Sequence, residues 1–479
     1  HTLPSGDWVE YSYDAAGSLV RKELSSGETS VYTYDETSGR LESMSNGTCT
    51  STFIYDGDGF VESVSTSACG VDTSLTYQYR VSGSYEAKRG LAHGAAGYVE
   101  VATGYSATDG WLPEYIFAGG FGVYMSYDDG GRLASWTQSP FHSEAAFGYD
   151  DDDRLSSSTY RDSVGGLLAN LTWEYNDAGL RSEHENDPFV DTFSYDAAGR
   201  LTVATHEHTA NEDERYSYDG AGNRRIAGME GEYTYDEANQ LLRDPDYSYT
   251  YDADGNRETR TAHVGGGVTR YDYDSESRLT RVTLPSAEWV RFAYDAMGRL
   301  ALKTQSSGAV RRYVYDRDEV FAELDGSDSL VRRYANRGGI DMMIGLISGG
   351  NDYVVGTDSL GTVIGFLDDG VPAGSYQYQA FGAIVNEDGA VPNERTFAGS
   401  EYESVSDLYA MRARFYDPNT GQFLQRDPLP HKAATAPYVY AANNPTNYRD
   451  PFGLDELNAE VTGFGNFFYK RAIEPLGQE

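Results

Sequence analysis

Residues 291–300 read Arg291-Phe292-Ala293-Tyr294-Asp295-Ala296-Met297-Gly298-Arg299-Leu300. The alternation up to Tyr294 puts every second side chain on one face, which is strand text. Asp295 can accept hydrogen bonds from the backbone amides of its own turn, and Gly298 can take a positive φ. Leu300 then starts a return strand. The stretch spells one β-hairpin.

The same text recurs along the chain. Tyr-Asp pairs stand at Tyr13, Tyr34 and Tyr55, 21 residues apart. They return at Tyr127, Tyr149, Tyr195, Tyr218, Tyr235, Tyr251, Tyr273, Tyr294 and Tyr315, with Tyr175-Asn176 as a variant. Many run on through a turn into Arg-Leu or Asn-Arg, as in YDAAGRL from Tyr195 and YDGAGNR from Tyr218. A fixed period in this range marks repeated supersecondary units. One hairpin cannot bury its own face, so neighbours must stack into a continuous sheet. A shared twist winds such a sheet into a spiral. The period lapses from about Val81 to Phe121, where Gly- and Ala-rich text reads as strands with degenerate turns. It shifts again from Ala335 to Gly382, through Gly338-Gly339-Ile340-Asp341-Met342-Met343. Within that region Tyr353–Gly370 and Tyr376–Gly382 read as further hairpins.

Composition agrees with an all-β chain. Among 479 residues there are 40 Tyr and 53 Gly but only 15 Pro, a bias toward strands and tight turns. The net charge of −38 argues against a nucleic-acid partner, because phosphate binding needs basic patches. It fits a well-solvated surface, or else acidic steering of a partner. No apolar run approaches the roughly 18 residues of a membrane helix. The chain opens at His1, with neither an initiating Met nor a visible signal peptide, and so reads as a processed product or a fragment. Cys49 and Cys69 occupy nearly the same phase of consecutive repeats. We expect them to form a disulfide in an oxidising compartment; two separate buried thiols are the alternative.

From Thr396 to Leu454 the text changes again: TFAGSEYESVSDLYAMRARFYDPNTGQFLQRDPLPHKAATAPYVYAANNPTNYRDPFGL. This closing module follows the repeats and precedes a tail, Asp455–Glu479, that carries none of their text. The ordered Tyr-Asp series resembles the repeats of the rearrangement-hotspot (Rhs) family, which includes the C components of insecticidal toxin complexes and the YD shell of teneurins. Tyr353–Gly370 is similar to the family's D-x-L-G-T segment. Thr396–Leu454 resembles the Rhs-associated core nearly end to end, including RARFYDP, the following G-x-F, N-N-P-x-N-Y and the terminal DPFGL. The resemblance implies a hollow shell or partial barrel, made by a spiralling sheet and closed by the core as a plug. The organisation it suggests is a repeat shell over 1–334 (irregular at 81–121), pre-core hairpins over 335–395, the core over 396–454, and a short tail over 455–479.

In toxin members of the family the core is a self-cleaving aspartyl protease that cuts after DPxGL and keeps the released polypeptide inside the shell. Carried onto this chain, the resemblance makes Asp427 and Asp450 the catalytic pair, Arg414 the arginine beside them, and Leu454–Asp455 the cleaved bond. The chemistry suits such a set. Two close carboxylates can share a proton, so that one activates water while the other protonates the leaving group. An adjacent arginine orients them. Enzyme activity is then at most one intramolecular turnover, without metal or cofactor.

Two departures stand out: Asp407 where the family often has Gly before Leu-Tyr, and Leu429-Pro430 where Gly commonly follows the second Asp-Pro. The tail, 455–479, is too short for a toxin domain with its own core. The repeat region is also shorter than that of members with a closed cocoon, which implies part of a shell that relies on a missing N-terminal region, a partner chain or self-association through open sheet edges. Asp417 reads as a turn residue, and Asp150–Asp153 as a solvated acidic turn. Asp252-Ala253-Asp254-Gly255-Asn256 reads as a repeat turn rather than a calcium loop. His206 and His208 share a strand face without the further ligands that a metal needs. Two functions stay open. One is a shell that self-processes, with its own C-terminal tail as cargo. The other is a secreted or cell-surface structural or adhesive protein that self-associates or binds glycans through its surface or edges, with the core as a non-cleaving cap.

Overall fold

The computed structural model describes residues 2–57, 59–67, 73–81, 85–93, 98–105, 113–118, 121–139, 143–186, 189–207, 212–226, 233–336, 340–429, 437–454 and 457–458. These are all-β: antiparallel strands joined by tight turns, with two short 3₁₀ turns and no α-helix among the described residues. No helix there is long and apolar enough to cross a membrane. The Gly- and Ala-rich region is strand as expected, at Tyr85–His93, Tyr98–Tyr105 and Pro113–Ala118. Two compact units result. One contains the described parts of His1–Gly120 and Tyr271–Ala335; the other contains those of Phe121–Arg270 and Asn336–Thr462.

The joint between repeats shows why Tyr, Asp, Gly, Arg and Leu recur in that order. Strand Phe189–Tyr195 pairs antiparallel with Leu201–Glu207, and the register slips between Ser194 and Tyr195. The Asp196 Oδ1 atom accepts the amides of Ala198 at 2.9 Å and Arg200 at 3.0 Å. Its other oxygen accepts Arg200 Nε at 2.7 Å. So clamped, the Arg200 guanidinium lies 4.6 Å from the ring centroid of the next repeat's Tyr218. The Tyr218 hydroxyl reaches back to the Leu201 carbonyl at 2.6 Å. Tyr218 thus depends on the arginine and leucine of the hairpin before it.

The device repeats in each unit. In the first unit, Asp295 holds Arg299, Arg299 covers Tyr315, and Tyr315 donates to the Leu300 carbonyl at 2.8 Å. Similar hydroxyl-to-carbonyl bonds come from Tyr34, Tyr55, Tyr149, Tyr175 and Tyr294. The same one-residue slip precedes Tyr34, Tyr55, Tyr127, Tyr149 and Tyr294; such bulges sharpen the local twist. Net, each hydroxyl bond contributes about 1 kcal/mol and each arginine–ring contact about 0.5–1 kcal/mol. The sum over many joints is what holds hairpins that are individually marginal. Asp150–Asp153 and Asp252–Asn256 are turns of this kind, stabilised by their own backbone amides.

In the second unit the closing module is a small antiparallel sheet of Glu401–Glu403, Leu408–Met411, Arg414–Asp417 and Gln422–Phe423. Its aromatic centre comprises Phe397, Tyr409, Tyr416, Phe423 and Tyr440, all buried. The Tyr416 and Tyr440 rings lie 4.5 Å apart. Asp407 takes the left-handed backbone at φ 57° in the position where the family often has Gly.

This module is fastened to successive repeat turns of the same unit. Asn444 Nδ2 donates to the Gly199 carbonyl at 2.8 Å, Asn443 Nδ2 to that of Gly222 at 2.9 Å, and the Tyr438 hydroxyl to that of Gly255 at 2.7 Å. Ala441, Ala442 and Asn443 all have φ between 47° and 60°, a left-handed turn that aims the two asparagines at neighbouring repeats. Asp417 is more than the turn residue expected from the sequence. It caps the amide of Asn419, and its Oδ2 also meets Arg257 Nη1 at 2.7 Å with both side chains essentially inaccessible.

Candidate active site

Arg414, Asp427 and Asp450 come together in the second unit. Strands Leu408–Met411 and Arg414–Asp417 form a hairpin with Arg412-Ala413 at its tip. From the strand start the Arg414 side chain lies over the Phe423 ring, 3.7 Å from its centroid. Its Nη2 meets Asp427 Oδ2 at 3.0 Å and Asp450 Oδ2 at 3.4 Å. One guanidinium nitrogen therefore serves both carboxylates. All three side chains are buried, at 3–5 % exposure. Burial draws the Arg414 guanidinium below its usual value, opposed by Asp427 and Asp450, which favour its charged form.

The DPFGL segment packs against this group. Asp450 Oδ1 accepts the Leu454 amide at 2.9 Å, and its carbonyl accepts that of Gly453 at 3.2 Å. Arg414 Nε donates to the Gly453 carbonyl, and the Ala413 amide to the Phe452 carbonyl at 3.1 Å. Gly453 is dictated by space as well as by its φ of 65°: a Cβ there would stand 2.5 Å from the Met411 carbonyl oxygen and 3.0 Å from the Arg414 amide nitrogen. Asp427 caps its own turn through the Leu429 amide at 2.8 Å. Leu454 is described; Asp455 lies outside the described residues. Beyond the expected bond, Leu457–Asn458 pair with Tyr448–Arg449.

The geometry can hold a peptide backbone beside two carboxylates and one cation in a desolvated site. Sequence reasoning named those three residues but missed their supports. Arg412 and Asp341 were not singled out, although Arg412 shares the R-x-R of the motif. The Gln425 side chain, which accepts the Phe415 amide at 2.9 Å, was missed as well.

A second polar cluster involves His206. Its Nδ1 lies 2.7 Å from Asp191 and its Nε2 2.9 Å from Glu214, so neither ring nitrogen is available to a metal in this arrangement. His208 lies outside the described residues. Burial pulls the imidazolium down, but the two carboxylates outweigh it and carry His206 from 6.5 up to about 9. A raised folded value means that the stabilisation is complete below the unfolded value and is lost as pH rises through the folded one. The melting temperature should therefore fall between pH 6.5 and pH 9. His206→Gln should flatten that part of the profile; an unchanged slope in the variant would show that other groups cause it.

Comparison with known proteins follows the same lines. The family described as the teneurin YD-shell matches residues 180–449, more than half of the chain. A tRNA3(Ser)-specific nuclease, WapA of Bacillus spizizenii, is 26% identical over 350 residues, covering 69% of this chain but 14% of the relative. Salivary gland surface protein 1 of Aedes aegypti is 31% identical over 114 residues, 23% of this chain and 3% of that protein. The chain thus spans a small part of the curated relatives it matches. Among solved structures, TcdB2-TccC3 aligns with 93% of this chain and 29% of its own, at 16% identity and a TM-score of 0.48.

Proposed function

The chain belongs to the YD-shell family, and from that premise we propose that its C-terminal core cuts its own backbone between Leu454 and Asp455, with the polypeptide beyond the cut held as cargo of the shell. The observation that carries this reading is the single Arg414 nitrogen shared by Asp427 and Asp450, next to a backbone that Asp450 itself holds at Leu454. In the reaction, one carboxylate takes a proton from water as its oxygen bonds to the Leu454 carbonyl carbon. The other carboxyl gives a proton to the Asp455 nitrogen as the C–N bond breaks. A carboxyl terminus at Leu454 and an amino terminus at Asp455 result. Because the bond is tethered four residues from Asp450, the step gains the effective concentration of an intramolecular reaction. Intact mass and a denaturing gel of the purified chain test it: two fragments divided at Leu454 support the proposal, and a chain that stays whole on long incubation overturns it.

One observation favours a second reading, that of a structural protein associating through its sheet edges or binding glycans. Strand Val9–Tyr13 pairs with Leu19–Leu24 and leaves Tyr11 and Tyr13 about half exposed. A whole chain whose mass in solution grows with concentration would favour that reading.

We also propose a Cys49–Cys69 disulfide and, with it, a secreted or cell-surface location. Cys49 is buried; Cys69 lies outside the described residues. Thiol titration of the denatured, unreduced chain should find none free, and Cys49→Ser should cost about 3 kcal/mol. Two titratable thiols would rule the bridge out.

A further inference from the structure

From Pro451 to Leu454, every residue of the segment that leads to the proposed cut is held by at least one polar group of the second unit. Arg412 Nη1 donates to the Pro451 carbonyl. The Ala413 amide takes the Phe452 carbonyl, Arg414 takes that of Gly453, and Asp450 accepts the Leu454 amide. Three of these holders are fixed by the hairpin or by the segment's own turn. Arg412 differs: its long side chain stands at the hairpin tip, with a left-handed backbone at φ 51°, and needs something else to aim it.

That something is Asp341, from the irregular text before the core. Its Oδ2 meets Arg412 Nη1 at 2.6 Å and its Oδ1 meets Nη2 at 2.9 Å, the two-pronged fit of guanidinium to carboxylate. Arg395 adds a contact at 3.2 Å. The Asp341 side chain is 1% exposed. Burial pushes its carboxyl up, but Arg412 and Arg395 outweigh that and hold it below the usual range, so it stays an anion. Its backbone is gripped as well: a Cβ at Gly399 would stand 2.3 Å from the Asp341 carbonyl oxygen, and one at Gly361 2.8 Å. The other face of the Arg412 assembly covers the Phe452 ring at 5.1 Å.

We infer that Asp341 is a positioning residue for the cut: by aiming Arg412 at Pro451 and Phe452, it sets where the Leu454 carbonyl stands relative to Asp427 and Asp450. This rests on the self-cleavage reading. Asp341 touches no reacting atom and acts only through Arg412. Displacement of a reacting group by about 1 Å can cost on the order of 100-fold in rate.

The test follows fragment formation in the full chain. Asp341→Asn and Arg412→Met should each slow it by about 10- to 100-fold. Arg412→Lys should recover part of the loss, because it keeps a cation for both Asp341 and Pro451; a purely packing role over Phe452 would be served by Met as well. The double variant Asp341→Asn with Arg412→Met should be no slower than the slower single one, since both break the same link. Parental rates in both single variants, or equal rates for Met and Lys, overturn the inference and leave the self-cleavage reading standing. A parental chain that never cuts defeats that reading instead. Amide exchange then decides the seat alone: faster exchange at Gly453 and Leu454 in Asp341→Asn supports it, and unchanged exchange overturns it.

Discussion

Asp450→Asn should leave the chain in one piece under conditions in which the parent separates into two, and Asp427→Asn should do the same. Asparagine keeps the size and much of the hydrogen bonding of each carboxyl but can neither take nor give the proton that the reaction moves. Loss of a general acid or base costs roughly 10²- to 10⁴-fold, enough to turn complete conversion into none on the time of a preparation. Position 450 has a second task, since its Oδ1 accepts the Leu454 amide. Asparagine can still accept there, so the backbone seat survives and the defect reports chemistry. Arg414→Lys should fall between these variants and the parent. Its ammonium cannot address Asp427, Asp450 and the Gly453 carbonyl together, as the planar guanidinium does. Mass spectrometry over a time course checks all three, and an Asp450→Asn chain that divides at the parental rate would remove Asp450 from the chemistry.

Arg257→Leu should be the most destabilising single change in the second unit. The Arg257–Asp417 pair is 2.7 Å long and shut off from water, with exposures of 0% and 1%. The guanidinium also lies over the Tyr249 ring at 4.6 Å. Burial pushes the Asp417 carboxyl up, but Arg257 and Arg260 more than compensate and keep it ionised below its usual range. Removing the cation leaves that anion stranded, and breaking a buried pair in this way costs about 3–5 kcal/mol. For a unit of this size the melting temperature should drop on the order of 10 °C. Replacing both members, as Arg257→Met with Asp417→Leu, should cost clearly less, because no lone charge remains. Thermal unfolding of the three proteins measures this. If Arg257→Leu melts with the parent, the pair contributes nothing to holding the closing module on its repeat. Sign and pH agree: a depressed carboxylate stabilises above its unfolded value, and that stability is lost as pH falls through the folded one.

The hairpins were legible because their signal is local. Tyr, Asp, Gly and Leu each act within one turn or its neighbour, so YDAMGRL contains most of what its own geometry needs. Arg414, Asp427 and Asp450 were legible only through the resemblance of the whole module to a known core, since spacing does not reveal that Asp427 and Asp450 share one nitrogen of Arg414. The second task of Asp417 was hidden for the same reason: Asp-Pro is turn text, and its partner Arg257 is 160 residues away. The two asparagines of N-N-P-x-N-Y matched a motif, yet nothing in that string tells that their amides seek the carbonyls of Gly199 and Gly222. Long-range partners of polar side chains are set by the packing of the whole unit, and no periodicity announces them.

The joint between hairpins also constrains how such a chain can change length over generations. Arginine and leucine of one hairpin serve the tyrosine of the next, and the same socket and plug recur at Tyr149, Tyr175, Tyr294 and Tyr315. Duplicating or deleting one entire hairpin restores a matching junction at the scar, whereas a change that removes the arginine or leucine of a turn leaves the next tyrosine without its partners. Growth in whole hairpins, with strand length free to vary between one Tyr-Asp pair and the next, is the pattern that this interlock favours.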